Sequence, residues 1–394
     1  MWRKSEKKIE TGDQVILNCI ESIKRSTEVY NESLALKSVQ RTTALLQEDS
    51  NASASMEGGC VYFPSLLSMY LENISIVAET MQVLSILTLN DDNARKLGKP
   101  TCDLLVAVLK TYISHPDIIK FGCKTLKSMA EIDIFLVHFS RNDVCTALNL
   151  ILQKYGSSNE MIAEWGCKSI FVLARKSIKN QNLLGNRTCE LLVSTILKSE
   201  VHRNSNIVKA AVAAAVGALA NNNTANKKYF MDSGACWIIL KLLELSYLTG
   251  PEYATACCYC IANMAENDSN YQFLFQNWST LGTVFLALKA NHSIAHVCVQ
   301  CLRALRALTH ENAELQATLL ALNPCQLIIE VLVEHRENGI VAEWGWGFVS
   351  SLADYEPFLP PLVAADVFLA LKDAFETYRL SFVSLQCSIV SADL

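Results

Sequence analysis

Fifteen cysteines, seven histidines and a scatter of basic side chains are the residues of this 394-residue chain that could do chemistry. Cysteines could ligate zinc or pair as disulfides. Cys257, Cys258 and Cys260 form the tightest set. Residues this close on one helix point to different faces, and no second pair stands nearby at zinc-ribbon spacing. Cys60, Cys102, Cys145, Cys189, Cys236 and Cys325 recur at long, near-constant intervals, with Thr280 holding the equivalent place once. Cys123, Cys167 and Cys258 share a second recurring position. Cysteines spaced in this way are expected to pack as small apolar residues. The histidines are His115, His138, His202, His292, His296, His310 and His335. Only His292 and His296 could share a helix face, and Asn291-His292 reads as a loop with no carboxylate beside it. Gly-x-x-x-x-Gly-Lys-Ser/Thr, Gly-x-Gly-x-x-Gly, His-Glu-x-x-His and Gly-x-Ser-x-Gly do not occur. No catalytic residue, metal ligand or cofactor is expected, and the chain reads as non-enzymatic.

The basic residues are more orderly. Lys124 and Lys127 stand three apart, so on a helix they share a face. Arg303 and Arg306 repeat that arrangement, and Lys168 follows Lys124 by 44 residues. Such a stripe would hold acidic side chains, backbone carbonyls or phosphate groups of a bound segment. The plainer reading is a solvated helix face. The formal net charge of −5 is too small to argue for bulk attraction to nucleic acid or to an anionic membrane.

These positions take their meaning from a repeated helix. The apolar triplet Cys167, Ile170, Leu173 recurs as Met81, Leu84, Leu87; Cys123, Leu126, Met129; Ala213, Val216, Leu219; Cys258, Ile261, Met264; Leu302, Leu305, Leu308; and Trp346, Val349, Leu352. Successive last members are 42, 44, 46, 45, 44 and 44 residues apart. A period of about 40–47 residues in helical units marks an α-solenoid. The expected fold is all-α, a right-handed α-α superhelix of about eight or nine repeats. Residues 1–46 are assigned to an amphipathic helix around Val15, Ile16, Cys19, Ile20 and Ile23 and a degenerate first repeat from Leu34 to Leu46. Residues 47–59 are polar and read as a flexible loop, and residues 60–394 as the regular array. Polar breaks such as Asn90-Asp91-Asp92-Asn93 and Asn221-Asn222-Asn223 separate the helices, where asparagine caps well. Near the end, Pro357, Pro360 and Pro361 precede a helix from Leu362 to Thr377, and a last one passes through Leu380, Val383, Cys387 and Val390.

The charged start, Met1-Trp2-Arg3-Lys4-Ser5-Glu6-Lys7-Lys8, lacks the apolar run of a secretory signal. The most apolar stretch, Ile207 to Ala220, contains Lys209 and is too short to span a bilayer. A cytoplasmic protein is expected, with the nucleus as a second location.

Two stretches carry a family resemblance. Ser233-Gly234-Ala235-Cys236-Trp237-Ile238-Ile239-Leu240-Lys241-Leu242-Leu243 resembles the Gly-Ala-Ile-Pro-x-Leu-Val-x-Leu-Leu turn of armadillo repeats. Ala256 to Ala265, ending Ile261-Ala262-Asn263-Met264-Ala265, is similar to their Ala-Leu-x-Asn-Leu-Ala. The resemblance, to the group that includes beta-catenin and importin-alpha, covers roughly residues 34–394. HEAT repeats have a similar length, but they use two helices and lack the Gly-Ala turn. The resemblance implies that the third helices line a groove for extended partner segments. Importin-alpha carries a tryptophan five residues before the last triplet member and an asparagine one before it. Here the minus-five places hold Gln82, Lys124, Lys168, Ala214, Tyr259, Arg303 and Gly347, and only Asn263 matches the asparagine. A receptor for basic import signals is therefore not expected.

The expected groove residues are Lys124, Lys127, Lys168, Tyr259, Asn263, Arg303 and Arg306, and the expected partner is a protein or extended peptide with acidic or phosphorylated residues. Trp165 and Trp344, each in an Ala-Glu-Trp-Gly segment, read as packing residues, with the glycine letting a neighbouring helix approach. Two functional classes follow: a scaffold or adaptor, or a regulatory or targeting segment of a larger signalling enzyme such as a kinase or ubiquitin ligase.

Overall fold

A computed structural model describes residues 12–377, apart from 49–51, 198, 200–201, 203–204, 247–249, 267–274 and 276–278. The expected final helix, through Leu380, Val383, Cys387 and Val390, lies outside the described residues. All regular structure among the described residues is helical. The chain divides into two compact units, residues 1–184 and 185–394. The division falls at Gly185, whose φ of +58° breaks the helical run Ile178–Leu191.

In the first unit the order is α1 (Gly12–Glu28), α2 (Glu32–Glu48), α3 (Ala52–Ser55), α4 (Phe63–Met69), α5 (Ile74–Leu87), α6 (Asp91–Thr111), α7 (Pro116–Ala130), α8 (Asp133–Phe139), α9 (Asn142–Tyr155) and α10 (Glu160–Arg175). The triplet helices α5, α7 and α10, with α2 before them, pack in chain order, each against the next. Their triplet residues are fully buried. In the second unit the helices Asn206–Ala220, Pro251–Ala265, Ala295–Thr309 and Gly339–Ala353 pack in the same sequential way. Trp346 is the one triplet member that is only half-buried. Each triplet helix presents an apolar stripe to its neighbours, so stacking buries what no single repeat could bury alone. Residues 52–58, within the stretch expected as a flexible loop, are structured. Ala52–Ser55 is helical and Met56–Gly58 forms a 3-10 turn, because Ala52 and Met56 are anchored in the core. The stretch Leu362–Thr377 is likewise two helices, Leu359–Ala364 and Val367–Thr377, separated by a left-handed Asp366.

Three local devices make the repeat. Asparagine or serine caps four of the seven triplet helices, two in each unit: Asn73 Oδ1 accepts from the Ile76 amide, Asn159 Oδ1 from Ile162, Ser205 Oγ from Val208 and Asn338 Oδ1 from Ile340 and Val341. A left-handed residue turns the chain into the middle helix: Gly98 in the first unit, Gly234, Ser279, Asn323 and Asp366 in the second. The glycines suit that conformation because they lack the Cβ that penalises it. Third, Gly122, Gly166 and Gly345 stand at one equivalent place on triplet helices, where an added Cβ would lie 2.6, 3.0 and 2.8 Å from Leu109, Leu152 and Leu332 of a middle helix. This close approach accounts for the glycine that follows each singled-out tryptophan.

The first unit also carries a tyrosine ladder. Tyr70, Tyr112 and Tyr155 sit at the ends of α4, α6 and α9. The Tyr70 hydroxyl accepts from the Asn31 amide at 2.7 Å and lies 3.3 Å from the Val29 carbonyl. Tyr112 donates to the Leu71 carbonyl at 2.5 Å and Tyr155 to the Ile113 carbonyl at 2.9 Å. Each rung thus ties one repeat to the main chain of the repeat before it. In the second unit His335 Nε2 stands 2.8 Å from the His292 carbonyl in the corresponding role.

No single described helix is long and apolar enough to cross a membrane; one pair, Ala313–Ala321 with Pro324–Glu334, passes that test only jointly and is bent by 80°. The cysteines among the described residues are buried thiols. Burial pushes the Cys123 and Cys236 thiols up to about 12, so they pack as neutral groups. Cys257, Cys258 and Cys260 are all buried, and Cys258 Sγ lies 3.6 Å from Cys301 Sγ.

Candidate functional site

In the first unit, burial of Cys123, Leu126 and Met129 leaves the half-exposed side chains of Lys124 and Lys127 on the remaining face of α7. On α10, burial of Cys167, Ile170 and Leu173 does the same for Trp165 and Lys168. These faces meet. The Lys124 ammonium lies 4.9 Å from the centre of the Trp165 ring, and that of Lys168 lies 4.5 Å from the same ring. Trp165 is therefore a shared aromatic platform for two cations from successive repeats.

The charge is partly neutralised. Lys168 Nζ pairs with Glu164 at 2.5 Å and Lys127 with Glu131 at 3.2 Å. Arg175 closes on the same Glu131. Four cations face two carboxylates, and Lys124 makes no ion pair with a described residue. Lys124 is thus the cation of this cluster most ready to accept an outside anion.

The second unit builds a tighter cluster. Arg303 lies on Ala295–Thr309, with its guanidinium carbon 5.4 Å from the Tyr259 ring centre and 4.8 Å from that of Trp344. Arg303 Nη1 donates to Gln300 Oε1 at 3.0 Å, and Nη2 donates to Asn263 Oδ1 at 3.3 Å. Burial pulls the Arg303 guanidinium below its ordinary value; Glu266 and Tyr259 oppose that shift and Arg306 adds to it. Its hydrogen-bond partners are neutral, and it forms no ion pair within the described residues. Asn263 is buried, and its Nδ2 has no hydrogen-bond partner among the described residues. Arg306 is half-buried one turn on, beside Gly347, where an added Cβ would lie 3.8 Å from the Arg306 side chain.

The sequence-derived residues thus fall into two separate clusters, each within one unit: Lys124, Lys127 and Lys168, and Tyr259, Asn263 and Arg303 with Arg306 adjoining. The packing role expected of Trp165 and Trp344 needs correction. Both are half-buried, and each stacks on a basic side chain. The signal was present in the sequence as an offset: Trp165 follows Lys124, and Trp344 follows Arg303, by 41 residues. That offset gains meaning only when adjacent triplet helices are known to lie side by side.

No protein-family model matches this chain, and no curated protein matches it in sequence. Solved structures do match. An engineered protein is similar over 92% of this chain and 99% of its own, at a TM-score of 0.57 and 13% identity. A second engineered protein covers 63% of this chain and 96% of its own, at a TM-score of 0.52 and 15% identity. A structure describing a phosphorylation switch in the interaction between cadherin and beta-catenin matches 88% of this chain and 67% of its own, at a TM-score of 0.57 and 15% identity. With its capped helices, left-handed turns and, within each unit, triplet helices stacked at intervals of 42–45 residues, the chain has an armadillo-type repeat fold.

Proposed function

We propose that this protein is a non-enzymatic interaction scaffold whose triplet helices hold an extended, acidic or phosphorylated segment of a partner protein. One cluster is Lys124, Lys127 and Lys168 with Trp165; the other is Tyr259, Asn263, Arg303 and Arg306 with Trp344. The observation that carries the reading is the recurrence, in both units, of a basic side chain stacked on the tryptophan 41 residues later. A solvated face has no need for such pre-ordering. An aromatic wall holds a long cation in place, which lowers the entropy lost when an anion docks. The cadherin–beta-catenin likeness supports the class of function.

The test is a pull-down from cell extract with the intact chain, followed by binding of the recovered partner's acidic segment to variants. Lys124→Glu/Lys168→Glu and Arg303→Glu/Arg306→Glu should each weaken binding, and the native interaction should fade with salt as exposed charges are screened within about 8 Å. A partner indifferent to both double variants and to salt would refute the basic-groove reading.

A further inference from the structure

At the third rung of the tyrosine ladder, the fold holds a cation of its own. Lys154 precedes Tyr155; its ammonium lies 5.8 Å from the Tyr155 ring centre and donates to Ser114 Oγ at 2.9 Å. At the first rung Met69 stands where Lys154 does, and Tyr30 where Ser114 does, judged by the carbonyls that Tyr70 and Tyr155 reach. A cavity of about 510 Å³ opens there, lined by Tyr30, Met69, Tyr70, Glu32, Glu72 and neighbouring main chain.

Its chemistry suits a cation. Tyr30 stacks on buried Tyr70 at 5.0 Å and 23°, yet is 68% exposed, so its other π face is open. Glu32 is fixed in place: Oε2 accepts from Asn73 Nδ2 at 3.0 Å and Oε1 from the Tyr30 hydroxyl at 3.4 Å. Neither Glu32 nor Glu72 forms an ion pair with a described residue. The cavity also lies at the carboxyl-terminal ends of α1 and α4, where the helix dipoles are negative. The Tyr112 phenol is pushed up, first by burial and then by Glu72.

We propose that this cavity takes the side-chain ammonium of a lysine carried by a partner protein, seated against Tyr30 and held by Glu32 and Glu72. The site is in the first unit and apart from the basic clusters, so it stands independently of their reading.

The experiment uses the full chain with isotope-labelled tyrosine, titrated with the blocked peptide acetyl-Gly-Lys-Gly-amide and its norleucine counterpart, and followed by the NMR shifts of Tyr30. Saturable shifts with the lysine peptide and none with norleucine are expected. Glu32→Gln/Glu72→Gln should weaken binding at least tenfold. Met69→Lys, which recreates the third-rung lysine, should compete the peptide away. All three positions are exposed, and circular dichroism should show the same helix content and melting as the parent. Equal shifts with norleucine, or undiminished binding to both variants, would overturn the proposal. Butylammonium binding as tightly as the lysine peptide would overturn the assignment to a protein-borne lysine.

Discussion

The most informative perturbation is the Arg303–Asn263 pair. Arg303→Met keeps an unbranched stem between Tyr259 and Trp344 and removes the charge. It forfeits the cation–π contacts, about 0.5–2 kcal/mol. It also strips the Asn263 amide oxygen of its partner, in a residue whose Nδ2 is already unmatched. An orphaned buried amide costs about 1–3 kcal/mol. Relief from burying a guanidinium offsets some of this, leaving an expected loss of about 1–3 kcal/mol. Asn263→Leu alone should cost less, because Arg303 keeps Gln300 and both rings. In the double variant no amide is orphaned, so its loss should fall short of the sum of the singles by about 1–2 kcal/mol. Urea denaturation gives the cycle, and hydrogen exchange in Pro251–Ala265 and Ala295–Thr309 places the effect within the second unit. Additivity within about 0.5 kcal/mol would refute the view that Asn263 is held by Arg303.

Three further outcomes are expected. An added Cβ at Gly217 would lie 2.8 Å from the Cys260 Cα, so Gly217→Ala must push the packed helices apart; a loss of about 1–3 kcal/mol in urea melts is expected, and an unchanged midpoint would contradict that packing. Leu173 is fully buried in α10, so Leu173→Ala should cost about 2–5 kcal/mol, with faster hydrogen exchange appearing first in α7 and α10 rather than uniformly. Because burial raises the Cys102 and Cys123 thiols from 9.0 to about 12, the folded chain keeps them protonated while the unfolded chain ionises. Their contribution to stability is complete below pH 9 and is lost as pH climbs towards 12; a flat urea midpoint across that range, or no flattening of its slope in Cys123→Ala, would contradict the assignment.

Much of the architecture was legible in the sequence because a solenoid writes its core locally. Cys167, Ile170 and Leu173 recur at a helical spacing, and each copy buries the same stripe against its neighbours. The asparagine-rich breaks were equally readable, since a cap acts on amides only two or three residues away. The same counting places Lys124 and Arg303 off the buried stripe of their helices.

Their partners could not. Which side chain meets Lys124 depends on how α10 lies beside α7, and only that packing brings Trp165 across a gap of 41 residues. The same holds for Glu131, which binds both Lys127 on its own helix and Arg175 on the next. Trp346 kept its place in the triplet by number, yet packing leaves it half-buried. The tyrosine ladder had a visible period, but a hydroxyl's acceptor is a main-chain carbonyl and leaves no mark on residue type. The sequence by itself therefore determined the repeat, its caps and its buried stripe, which are governed by neighbours along one helix. The tertiary structure alone decided the aromatic platforms, the Arg175–Glu131 pair and the open first rung, because each joins residues about 40 positions apart through helix-on-helix contact.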